Sequence, residues 1–111
     1  MSIFKISEKI VLNKLKKIEY GSLKLINYDG QVFHFGNLEN ELTADIKINN
    51  EKFYFNIIVG GSSALGEAHM SKDFYSTNLT NLIELTARNI RLVHSFSGSL
   101  RIQKIKNFIK K

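Results

Sequence analysis

Residues 59–79, VGGSSALGEAHMSKDFYSTNL, decide how the rest of the chain is read. Glycines at 60, 61 and 66 permit positive φ or the close approach of another segment, and Gly66 leads directly into Glu67, Ala68, His69 and Met70. Phe74 and Tyr75 follow, then Ser76, Thr77 and Asn78 ahead of the apolar positions Leu79, Leu82, Ile83 and Leu85. The order is loop, short element, aromatic corner and capped helix. Two readings stay open. In one, the stretch is packing: glycine at a close crossing, Ala68 and Met70 turned inward, Phe74 as a core plug. In the other, Glu67 and His69 form a polar pair at a ligand pocket. That pair needs a strand, because positions two apart share a face on a strand and not on a helix.

On the C-terminal side, Leu79 to about Phe96 reads as one helix with Thr77 or Asn78 as its cap. Leu79, Leu82, Ile83, Leu85, Thr86, Ile90 and Val93 make a broad apolar stripe, with Glu84, Arg88 and Arg91 largely outside it. His94, when protonated, suits the helix C-terminus. Residues 95–99, with Gly98, are linker-like. The segment SLRIQKIKNFIKK then places Ile102, Ile105 and Ile109 on one helical face among five cations, with Phe108 adjacent. Such a helix suits an anionic membrane surface, with Arg101, Lys104, Ile105, Phe108 and Lys110 as contact residues. A linker, a partner-docking helix or a plain solvated helix is the competing account.

On the N-terminal side, residues 5–18 read as an amphipathic helix with Ser7 as a cap; Ile6, Ile10, Leu15 and Ile18 lie near a 3.6-residue period. The period then changes to two. Strands are expected at about 20–27 and 31–36 around the Asp29-Gly30 hairpin turn, and a third where Leu42, Ala44, Ile46 and Ile48 alternate with polar residues. His34 reads as a half-exposed structural histidine, since no other ligand stands at metal-binding spacing. The run FYFNIIV after Glu51 is read as a buried helix, capped by Asn50 and ended by Gly60-Gly61.

A chain of 111 residues with 43% apolar and 23% charged residues is sized for one globular domain. No cysteine is present, so disulfide frameworks and thiolate metal sites are excluded. No apolar run approaches a membrane span, and MSIFKISEKIV lacks the features of a secretory leader, so a cytoplasmic protein is expected, with any membrane contact peripheral on the inner face. The net charge of +6 is uneven: residues 1–17 carry five lysines against one glutamate, and residues 99–111 carry five cations and no acid. Basic ends on a mildly acidic body argue for contact with an anionic surface. Nucleic acid ranks last, because most aromatics sit in the acidic body rather than on a basic face.

GEAHMSKDFYSTNLTNLIELTARN resembles a stretch of the N-terminal, non-catalytic domain of bacterial cyclopropane-fatty-acyl-phospholipid synthases, which reads close to G-E-A-Y-M-x-G-x-W-x-S-x-D-L and continues into a Leu-rich helix ending in Arg-Asn. Gly66, Glu67, Ala68, Met70, Ser76, Leu79, Arg88 and Asn89 match, and His69, Lys72, Phe74 and Asn78 depart where the family has Tyr, Gly, Trp and Asp. Gly21-Ser22-Leu23, Asp29-Gly30, Phe35-Gly36 and residues 44–48 extend the resemblance over roughly residues 6–92. In that family methyl transfer belongs to a following domain that binds S-adenosylmethionine, and no such domain is read before Lys111. The resemblance therefore implies a non-enzymatic module without a cofactor, which binds or presents phospholipid acyl chains to a separately encoded methyltransferase.

The expected fold is α+β: a small antiparallel sheet packed with helices and flanked by amphipathic terminal helices. The order of elements also resembles sterol-carrier-like lipid-binding folds. Residues 1–96 are expected to form the domain and 97–111 a basic tail. Phe53, Phe55, Ile58, Leu65, Glu67, His69, Met70 and Phe74 are the expected lipid-binding residues. Expected partners are phospholipid or an anionic membrane surface, the methyltransferase and a second copy of the chain. The alternative is an interaction or oligomerisation domain with no ligand of its own.

Overall fold

A computed structural model describes residues 2–37 and 41–96. The expected tail at 97–111, and with it Arg101, Lys104, Ile105, Phe108 and Lys110, lies outside the described residues. The class is α+β, with helices α1 (Ile3–Leu15), α2 (Lys52–Gly60), α3 (Ser62–Met70), α4 (Leu79–Arg88) and α5 (Ile90–Phe96) and strands β1 (Ser22–Ile26), β2 (Val32–Gly36), β3 (Thr43–Ile48) and β4 (Phe74–Tyr75). None of the described helices is long and apolar enough to cross a membrane.

α1 begins earlier than the expected residue 5 because Ser2 supplies the cap, its hydroxyl oxygen accepting the Lys5 N–H at 3.2 Å. Ser7, expected to cap, is instead buried inside the helix and donates its hydroxyl proton to the Ile3 carbonyl at 2.7 Å. β1 and β2 pair as an antiparallel hairpin whose turn is tied by Gly30 N–H to the Asn27 carbonyl and by Asp29 Oδ1 to the Gln31 N–H.

The sheet is mixed rather than antiparallel. Its strand order is β2-β1-β3-β4, and β1 and β3 run parallel. Packing explains the order. β3 bypasses β2 and pairs with β1, setting Leu23 beside Ala44 and Leu25 beside Ile46 in register, so the most aliphatic inward faces meet at the sheet centre. β2, with half-exposed Val32, and the two-residue β4 form the edges, which suits strands with less to bury. The opposite face stays in water and carries Lys24, His34 and Lys47.

Two glycines make the return from β2 feasible. Gly21 and Gly36 both have positive φ, and a Cβ on Gly36 would lie 2.2 Å from the Gly21 carbonyl oxygen. α2 forms where expected and Gly61, at φ 63°, ends it, but its cap residue is Glu51, which makes no side-chain cap hydrogen bond, and not the expected Asn50, whose Oδ1 accepts the Lys52 N–H at 3.0 Å in the turn ahead of the helix. Its Phe53 meets Tyr54 and Phe74 edge-on with ring centres at 5.7 and 5.5 Å.

The expected single helix from Leu79 to Phe96 is two. Asn89 ends α4 with a buried side chain: Oδ1 accepts the N–H groups of Glu19 and Tyr20, and Nδ2 donates to the carbonyls of Tyr20 and Leu85. This fourfold bonding fastens the segment after α1 to the α4–α5 elbow. At its other end α4 is capped by Asn78, whose Oδ1 accepts the Asn81 N–H, and Asp45 on β3 accepts from the Thr77 N–H at 3.1 Å.

Candidate functional site

α3 converts the central stretch into a helix, and this settles the arrangement of its polar residues. Glu67 and His69 point roughly 200° apart at 3.6 residues per turn. Glu67 faces a shallow depression with Asn56, Ser71 and Asp73, while His69 faces α4. The polar pair of the pocket reading is therefore not formed. Ala68 is buried, as packing requires, but Met70 is 83% exposed at the helix end rather than turned inward. Phe74 is the expected plug, buried against Phe53, and the His69 ring lies 5.8 Å from it.

The expected lipid-binding residues consequently do not share one lining. Phe53 and Leu65 border a partly open cavity of about 90 Å³ among α1, the sheet and the helices. Phe55 and Ile58 are plain core, Phe55 edge-on to Phe4 at 5.8 Å. Such a cavity is smaller than the ~150 Å³ that admits benzene.

The larger apolar opening lies at the surface between α3 and α4, where Leu65, Gly66, His69, Leu79, Ile83 and Ile90 line a groove of about 330 Å³. That volume is in the ~300–1,000 Å³ range of small-molecule sites. Ile83 and Ile90 are 53% and 36% exposed, so the groove is unfilled. Gly66 is in the middle of α3 with no positive φ, and a Cβ there would meet nothing within 4 Å. A glycine in a helix interior costs about 1 kcal/mol relative to alanine. No close crossing accounts for it, and it borders the groove.

The α4 side of this groove was absent from the sequence-based lining, although its signal stands in the sequence. The apolar stripe read across Leu79–Phe96 is too broad for one contact: Leu82 and Leu85 are buried in the core, whereas Leu79 and Ile83 on α4 and Ile90 at the start of α5 line the groove toward α3.

Ile90 is also a wall of a second, polar cleft of about 680 Å³ at the elbow, lined further by Lys14, Lys17, Glu19, Tyr20, Arg88 and Arg91. Four cations face one carboxylate. Lys14 Nζ donates to the Ser95 carbonyl and hydroxyl oxygens at 3.3 and 3.1 Å, and Arg88 pairs with Glu84 at 3.0 Å. Among the described residues, the side chains of Lys17 and Arg91 have no hydrogen-bond or ion-pair partner. Asn89 positions this cleft by holding residues 19 and 20 against the elbow.

A polar relay on the opposite side of α1 is fully satisfied within the fold. The Tyr54 hydroxyl donates to Asn27 Oδ1, Asn27 Nδ2 to Glu8 Oε2, the Tyr28 hydroxyl to Glu8 Oε1, and Lys5 Nζ to the Tyr28 oxygen. Burial, reinforced by the Glu8 charge, pushes the Tyr54 phenol far up from its ordinary value. Burial and then the Glu8 hydrogen bond raise Tyr28, and the Tyr28 hydrogen bond raises Lys5. No group of three His, Cys, Asp or Glu among the described residues is placed to hold a metal ion.

Comparison of the chain with protein-family models, with curated proteins and with solved structures gave no match.

Proposed function

We propose that the chain is a lipid-handling module that holds a phospholipid acyl chain and presents it to a methyltransferase, without catalysing the transfer itself. The observation that carries this reading is the open apolar groove between α3 and α4, with Gly66 contributing no side chain to it. The positively charged cleft reached across Ile90 fits an anionic amphiphile better than a neutral apolar ligand or an acidic peptide without an apolar part.

Three local features also support the resemblance to the N-terminal domain of cyclopropane-fatty-acyl-phospholipid synthases. Lys72, which stands where the family pattern has glycine, is the one non-glycine with positive φ among the described residues, at 61°. A glycine at that place would be free of strain, as the pattern demands. Phe74, in place of the family's tryptophan, is a buried aromatic plug, and Asn89 of the Arg-Asn pair terminates α4. The module would work peripherally at a membrane surface.

Native mass spectrometry on the full chain, purified without detergent, followed by lipid extraction tests the reading. A phospholipid or fatty acid retained at one per chain is expected, and it should be lost in Gly66→Leu with the thermal midpoint preserved. A lipid-free chain that assembles into a stable oligomer would replace the lipid reading with that of an interaction domain.

A further inference from the structure

Resting on the lipid reading, we infer that the cleft at the α4–α5 elbow seats the phosphate of the bound lipid, with Lys17 and Arg91 as its principal ligands and Ile90 as the wall where headgroup and acyl chain part. The cleft and the groove are separate openings that share this one residue. An amphiphile laid across Ile90 therefore has its apolar part against Ile83 and Leu79 and its charged part among Lys14, Lys17, Arg88 and Arg91.

The charges divide by what already holds them. Lys14 is fastened by Ser95, whose hydroxyl in turn donates to the Leu92 carbonyl at 2.6 Å, and Arg88 is oriented and partly neutralised by Glu84. Both are pre-positioned, and Arg88 has less charge to give. Lys17 and Arg91 retain theirs, and the single carboxylate in the cleft, Glu19, leaves it net positive. Guanidinium recognises a phosphate through paired N–H donors and ammonium as a compact point charge, so the Arg and Lys pair supplies both modes. A clustered excess of cations weakens a fold by self-repulsion and is relieved by a bound anion. Lys24 and Lys47, exposed on the solvated sheet face, have the same formal charge and line neither the groove nor the cleft. They provide a matched control.

The test is a titration of the full chain with dihexanoyl phosphatidic acid below its micellar concentration, followed by amide chemical shifts. Parallel titrations use glycerol 3-phosphate and dihexanoylglycerol. The double charge reversal Lys17→Glu with Arg91→Glu is compared with Lys24→Glu and Lys47→Glu, which changes net charge equally. The expected result is phosphatidic acid binding that shifts the amides of Tyr20, Ile83 and Ile90, is weakened about tenfold or more by the cleft reversal and changes less than about twofold in the control. Glycerol 3-phosphate binding in the cleft as tightly as the lipid would uphold the phosphate seat while removing the lipid reading. Phosphatidic acid binding that both reversals leave equal would overturn the seat and leave the lipid reading standing. Equal binding of phosphatidic acid and dihexanoylglycerol would overturn the seat in the same way, and binding of none of the three would end both.

Discussion

A Cβ placed on Gly36 would lie 2.2 Å from the carbonyl oxygen of Gly21, whereas one placed on Gly66 would meet nothing within 4 Å. The first glycine belongs to a region in which every constraint is internal. The backbones of residues 21 and 36 pass in contact, the Asn37 N–H donates to the Gly21 carbonyl at 3.0 Å, and at the turn end of the same hairpin the relay from Tyr54 to Lys5 finds all its partners within the fold. The second belongs to a region whose residues are costly by the same criteria. A helix-interior glycine and exposed isoleucines have no internal compensation, and among the described residues only Arg88 of the four cations around one cleft is paired with a carboxylate. A residue that the fold does not explain is where binding is to be sought.

The sharpest way to break this comparison is Gly36→Ala. The added methyl would strike backbone, which cannot swing aside, at a φ of 85° that alanine resists. Positive φ and overlap together should lower stability by about 3 kcal/mol or more, read as a shift of the urea midpoint at constant m-value. A loss below about 1 kcal/mol would mean that the two strands separate easily and that Gly36 is no more fold-determined than Gly66.

The relay supplies the next effect, through pH. Tyr54 and Tyr28 are both harder to ionise in the fold than in the unfolded chain, so above pH ~10 the unfolded chain loses protons first. Their contribution is complete below the unfolded value and is lost as pH rises beyond it. The Tyr54 proton lowers stability by about 1.4 kcal/mol per pH unit in that window, and the more exposed Tyr28 adds less. Lys5, raised by its bond to Tyr28, acts in the same direction. Urea midpoints between pH 8 and 11 should fall, and Tyr54→Phe should fall less steeply while starting lower at pH 8. Identical slopes would remove Tyr54 from the relay.

The internal region was also the more legible in sequence. Alternation at Ala44, Ile46 and Ile48, the Asp29-Gly30 turn, Asn50 ahead of FYFNIIV and the Gly60-Gly61 stop all act within a few residues, and each element formed where they place it. The parallel pairing of β1 with β3 was not legible, since the inward faces of β2 and β3 are both apolar and alternation does not rank them. Nor was the elbow. Asn89 breaks the helix by bonding residues 69 and 70 positions away, which no local window reports. The groove is legible in part: Gly66, Leu65 and His69 stand out in the sequence, but Leu79, Ile83 and Ile90 merge into a single broad stripe, and the cleft cations, spread over α1, the turn after it, α4 and α5, are gathered only by the fold.

Gly66→Ala addresses the other half of the comparison. Nothing opposes the new methyl, so alanine should gain about 1 kcal/mol of helix propensity, seen as a rise in the urea midpoint. The gain should come with weaker retention of lipid, because the methyl enters the groove. A loss of stability would show that the glycine has a structural duty after all, and the contrast with Gly36 would fail.

Lys72 is the converse of Gly66, a position where the fold calls for glycine and the chain has none. Its backbone is left-handed at φ 61°, held by the Lys72 carbonyl accepting from Asn49 Nδ2 at 3.1 Å and by the Lys72 N–H donating to the His69 carbonyl at 3.2 Å. A left-handed residue with a Cβ costs about 1–2 kcal/mol, and the greater freedom of glycine in the unfolded chain returns about 0.5–1 kcal/mol of that. Lys72→Gly should therefore raise stability by about 0.5–1 kcal/mol with no effect on lipid retention, since Lys72 borders neither the groove nor the cleft. A stability gain with unchanged binding at residue 72, beside a gain with weakened binding at residue 66, would separate a glycine that the backbone wants from one that a ligand wants.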